Sequence, residues 1–294
     1  MKTALLVGSR VITLTIILFI CFAVAGGVLG QQGISQPSEQ SRAALPLLAV
    51  CLLEATVMTY LILRSRWTGW RLTAVVFLVF YGVTTFMSQI ESAVFLTRLP
   101  SGMVPRLFLM GALIAAPFSA LAVLILGKTK GGTIEAQRPS RLVMPAREWA
   151  WKLAVIAIVY LILYFTFGYF IAWRNAAVLE YYNGIDEGSF LAHMRTVLRD
   201  TPWLIPFQIV RAILWVALAL PVIWMLKGEW PETSLAVGLL FAVVMNAQLL
   251  LPNPYMPEPV RMAHLVETAS SNLIFGAFIG WLLSDQVPRL DARS

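Results

Sequence analysis

Eight uninterrupted apolar runs constrain this chain more than any other feature, because about 20 apolar residues as a helix span the hydrocarbon core of a bilayer. They cover residues 11–29, 44–63, 72–95, 107–126, 151–172, 203–226, 234–251 and 260–283. Lipid offers no hydrogen bonds, so each backbone group in such a run must be satisfied within its own segment, which a helix does. Barrel strands would be shorter and would alternate apolar with polar residues. The composition agrees: 59% of the residues are hydrophobic and 13% charged, against about 25% charged in a soluble domain. The expected fold is all-α, a polytopic membrane helical bundle of about eight transmembrane helices in the cell membrane, with residues 1–294 forming one integral membrane domain.

The formal charge of +7 is explained by membrane topology and calls for no nucleic acid. Arg64, Arg66 and Arg71 crowd the second loop, and Lys128, Lys130, Arg138, Arg141 and Arg147 fill the fourth. Basic short loops are retained on the cytoplasmic side, which places both termini there and the odd-numbered loops outside. Residues 128–150, rich in Gly, Pro and charge, read as a cytoplasmic linker between four spans in 1–127 and four in 151–294; residues 30–41 read as a flexible outer loop. GKTKGG within the linker lacks the GxxxxGK[ST] frame of a phosphate-binding loop. The first run follows Lys2 and Arg10 and is longer than a signal-peptide core, so it reads as a retained span. Cys21 and Cys51 lie inside apolar runs without CxxC spacing and read as small apolar fillers.

Polar residues inside the runs carry the functional expectation, since an ionisable group at mid-membrane costs about 2.5–3.5 kcal/mol on insertion scales and faces protein or a water-filled cavity. The stretch RMAHLVETASSNLIFGAFIG, residues 261–280, holds the densest set. His264 and Glu267 stand three apart, and Thr268, Asn272, Gly276 and Gly280 follow His264 at steps of four, so a helix puts them on roughly one side. GAFIG is a GxxxG pattern that suits close packing inside the chain better than a dimer face, and oligomerisation is left open. Glu54, Glu91, Gln208, Arg211 and Asn246 fall on other runs, each within about 15 Å of the outer end at 1.5 Å per residue. Glu54, Glu91 and Glu267 are each followed by two small residues, in LLEAT, QIESA and LVETA.

Taken together these residues predict a polar chamber opening outward. Glu267, His264, Glu91 and Glu54 are the expected catalytic groups, with Arg211, Gln208, Asn246 and Asn272 binding substrate. One arginine cannot neutralise three carboxylates, so the surplus either holds protons or takes a divalent metal ion on Glu54, Glu91, His264 and Glu267. Expected ligands are membrane lipid or a small-molecule, lipid or peptide substrate of unknown identity. The enzyme stands beside two alternatives, a proton- or cation-coupled transporter and a non-catalytic membrane subunit or receptor. HExxH, GxSxG and EExxxR arrangements are absent. Near 189–199, Phe190, Leu191, Met194, Val197 and Leu198 recur at helical spacing, which predicts an amphipathic helix on the outer surface from which His193 could reach the chamber.

Overall fold

The computed structural model describes residues 2–29, 37–96, 99–130 and 142–284. Residues 131–141 of the linker at 128–150, with Arg138 and Arg141, and residues 30–36 of the outer loop lie outside these. The expected all-α membrane bundle is what forms: among the described residues, eight helical segments are long and apolar enough to cross a membrane. Helices α1 (Lys2–Leu29), α2 (Pro37–Arg64) and α5 (Met103–Ile125) each form one of them. The third joins α3 (Gly69–Tyr81) to α4 (Met87–Phe95) through a π-helical turn, and α6 (Ala146–Phe167) ends in another at Gly168–Ala172. Two short helices come next, α7 (Ala176–Tyr181) and α8 (Phe190–Asp200), and then α9 (Leu204–Met225). The seventh segment starts as α10 (Trp230–Leu239), passes through a π turn at Leu240–Val244 and ends in a 3-10 turn, Ala247–Leu250; α11 (Glu258–Ser284) completes the bundle.

Between the spans, local sequence sets where the short helices start. The Asn175 side chain accepts the Ala177 N–H at 2.9 Å and begins α7, and Ser189 Oγ accepts the Ala192 N–H at 3.2 Å and begins α8, both satisfying amides that a helix start leaves open. Helix α8 turns Phe190, Met194 and Val197 onto Phe165 of α6 and Leu204 of α9. Its apolar face is therefore partly spent on protein, while Leu191 and Leu198 stay exposed.

One end of the bundle is closed by its basic loops. The Arg66 N–H donates to Met225 O at 2.7 Å and the Lys227 N–H to Arg64 O at 3.1 Å, while the Lys128 ammonium donates to Ser65 O at 2.8 Å. Burial and nearby Lys227 pull the Lys128 ammonium below its ordinary pKa. Arg64 forms an ion pair with Glu232, which also accepts from the Tyr60 hydroxyl at 3.0 Å. Above these loops the core is apolar, with Trp215, Phe80, Phe118 and Phe241 fully buried.

Helices α10 and α11 make the most extensive pairing among the described elements, and glycine lets their backbones approach. A Cβ on Gly276 would lie 2.6 Å from Val237 O, and one on Gly280 would lie 2.6 Å from Ser234 Cα. The GAFIG segment thus packs within the chain, backbone against backbone. Gly276→Leu should destabilise the protein by about 1–3 kcal/mol through overpacking, seen as a lower melting temperature in detergent. Gly27→Leu, where a Cβ meets nothing within 4 Å, should leave melting unchanged; equal effects would contradict the packing account.

Candidate active site

A cavity of about 930 Å³ opens at the end of the bundle opposite the basic loops, within the range that holds a small ligand. Three spans bend where they reach it, each at a π turn. Such a turn inserts one residue into the helix, re-aims the residues beyond it and frees a carbonyl. The turn at Gly82–Phe86 precedes Ser88 and Glu91, and the one at Gly168–Ala172 brings backbone past α11, where a Cβ on Gly168 would sit 3.4 Å from Glu267 Oε1. After the third, Asn246 Nδ2 donates back to Phe241 O at 3.1 Å and Ala242 O at 2.9 Å. Asn246 Oδ1 accepts from Thr268 Oγ1 at 2.6 Å, which ties the bent end of the seventh span to α11. Asn246 is expected from sequence to bind substrate; it lines the cavity, and its amide is occupied holding this bend.

Two polar clusters face each other in the cavity. In one, Arg211 of α9 grips Glu91 of α4 with both terminal nitrogens, at 3.2 and 3.1 Å, and Nη1 also donates to Gln208 Oε1 at 3.0 Å. The Arg211 side chain is 4% exposed and that of Glu91 is 32%, so the carboxylate takes the cavity side. Phe207 and Tyr160 rings lie 6.0 Å from the guanidinium carbon, where their faces favour a cation. The sequence assigns Arg211 to substrate binding; in the structure its two terminal nitrogens are held by Glu91.

In the other cluster, His264 Nδ1 lies 2.8 Å from Glu267 Oε2 and Nε2 lies 3.2 Å from the Tyr182 hydroxyl. Burial first, then the nearby Glu91, Tyr181 and Glu267, holds the Tyr182 phenol above the ordinary tyrosine value. A phenol that keeps its proton donates to Nε2, so Nδ1 carries the hydrogen given to Glu267. Tyr182 is absent from the sequence expectations because it follows α7 in a connection between spans, where an aromatic reads as interfacial; only the fold brings it 82 positions along the chain to His264. At the mouth, His193 of α8 stands 3.2 Å from Glu187 Oε2 with Tyr169 and Trp173 against its ring. Asn272 lines the cavity one turn below Thr268.

Glu54 departs from the expectation. It is fully buried, its polar neighbour is the Gln248 side chain, and it is not among the cavity's lining residues. Helix α2 packs flush on the end of the seventh span, which puts that span between Glu54 and the cavity, with Gln248 facing both. The four-residue metal set therefore does not assemble. Among the described residues no three His, Cys, Asp or Glu side chains gather to hold an ion: Glu91 is turned to Arg211, Glu54 is behind a wall, and His264 and Glu267 remain a pair.

No protein-family model, curated protein sequence or solved structure matches this chain.

Two measurements test these clusters. The chain has two histidines, so nitrogen NMR of labelled protein, assigned with His193→Gln, should show a hydrogen on His264 Nδ1, and Tyr182→Phe should shift Nε2 alone. Arg211→Met should lower stability by about 2 kcal/mol, less than for a fully buried pair because Glu91 faces the cavity. Adding Glu91→Leu should restore most of that loss in chemical denaturation; additive losses would mean the pair is not coupled.

Proposed function

We propose that this protein is a membrane enzyme that uses the Glu267–His264 pair as a general base on an amphipathic substrate, a lipid, lipid-linked molecule or peptide, drawn from the leaflet beside the cavity. The observation that carries the proposal is the line of contacts from Glu267 through both nitrogens of His264 to Tyr182, on a cavity wall large enough for a ligand. A carboxylate on Nδ1 fixes ring orientation and leaves Nε2 with its lone pair toward the site. Nε2 takes a proton from a water or substrate hydroxyl, through the Tyr182 hydroxyl or in its place. The imidazolium formed is stabilised by Glu267, and the same proton returns to the leaving group. Glu91 and Arg211 set the polarity of the opposite wall. The basic loops lie on the cytoplasmic side of the cell membrane in this proposal, and the cavity faces outward.

A proton-coupled carrier is the second reading, and the observation favouring it is Glu54, a fully buried carboxyl one layer behind the cavity with Gln248 as its polar neighbour. Against it stands the floor of the cavity, where Tyr160 and Phe275 rings meet at 4.7 Å, and the apolar core beyond it, where Trp215 and Phe241 meet at 4.3 Å. The deciding experiment incubates bilayer-reconstituted protein with a total membrane extract and follows new products by mass spectrometry. Wild type should accumulate a product that Glu267→Gln forms at least about 100-fold more slowly, the usual weight of a general base, with unchanged melting. Identical product profiles would remove the enzyme reading. Loss of proton-linked uptake in their place would select the carrier.

A further inference from the structure

Part of the cavity lining lies on elements that the polar clusters do not use: Gly26 and Leu29 at the end of α1, Leu99 in a loop, and Met103, Leu107 and Met110 at the start of α5. These residues are apolar and half-buried, and together they make an apolar arm of the cavity. From Met103 to Met110 it extends about 10 Å along α5 at 1.5 Å per residue, starting from the end of the helix, where the edge of a leaflet would lie.

Each carboxylate on the cavity wall has a partner beside it. Glu91 is ion-paired with Arg211 and Asp200 with Arg199, while Glu267 and Glu187 stand beside the His264 and His193 rings. Arg106 also lines the cavity, one turn into α5 and exposed, and among the described residues no carboxylate stands within ion-pair distance of it. A cation left over at the mouth of an apolar slot matches one kind of occupant.

We propose that the arm binds a lipid with an anionic headgroup, its acyl chain lying between α1 and α5 and its headgroup charge against Arg106. This deepens the functional proposal by naming the substrate class of the same cavity, and it rests on that proposal only for the chemistry after binding. An acyl chain in the slot exchanges lipid surroundings for protein, so selectivity comes from the headgroup, and the slot sets orientation, holding the headgroup end toward the polar clusters.

The test is native mass spectrometry of the full chain in detergent, titrated with phosphatidylglycerol and with phosphatidylcholine. Phosphatidylglycerol should bind about tenfold more tightly, the scale of one charge-assisted contact, and Arg106→Ala should abolish that preference. Leu99→Trp, in a loop, and Met110→Trp, in α5, should each fill the arm and weaken phosphatidylglycerol at least about tenfold while the protein stays monodisperse. Glycerol phosphate, which has the charge but no chain, should not compete. Equal binding of the two lipids, full binding in both tryptophan variants, or competition by glycerol phosphate would each overturn the inference. Glu267→Gln should bind phosphatidylglycerol like wild type. Binding without turnover in wild type would thus count against the enzyme and leave the lipid site standing, and turnover without selective binding would do the reverse.

Discussion

The Arg211 guanidinium is buried among apolar helices, and the position of everything around it depends on how its charge is met. An isolated cation there would be far costlier than any single packing contact, so α4 must deliver Glu91 to it, and Gln208 must turn inward to share Nη1. Meeting that demand fixes α4 against α9 at one height and one rotation. The Phe207 and Tyr160 rings then close over the remaining face of the guanidinium. The rest of Glu91 faces the cavity, and the opposite wall, carried by α11, is free to hold a separate polar pair.

The π turns make this arrangement possible without breaking the helices. A straight helix repeats every 3.6 residues and cannot turn one residue toward a chosen neighbour without turning all the others. An inserted residue shifts the phase once, and the turns at Gly82–Phe86, Gly168–Ala172 and Leu240–Val244 do so where the chain reaches the cavity. The carbonyls they release need donors, since lipid has none. Asn246 supplies two such bonds in the seventh span. Its burial therefore joins two spans, because the same side chain receives Thr268 from the helix that carries His264 and Glu267.

Legibility in the sequence divides along the same line. The eight spans are legible because each is a local property: length, hydropathy and the absence of charge are all that a bilayer asks of a helix. His264 and Glu267 are legible as a pair because both sit on one helix at three-residue spacing. Glu54 is as conspicuous in sequence as Glu91, yet a depth estimate along the helix axis carries no information about rotation around it. Glu91 faces a cavity and Glu54 faces the packed end of the seventh span. Tyr182 is invisible for the opposite reason, since nothing about a tyrosine in a connecting loop distinguishes it until α7 is seen to fold back over α11.

By itself, then, the sequence determined that the chain crosses a membrane eight times as helices, that the glycines of GAFIG would pack closely within the chain, and which side chains were too costly to leave facing lipid. Those come from transfer free energies and local spacing, which act residue by residue. Only the tertiary structure decided who partners whom: Glu91 with Arg211, Glu267 with His264 and Tyr182, and Glu54 with neither. Partnership depends on the rotation and phase of each helix, and these are set by packing and by π turns whose insertion leaves no mark in hydropathy.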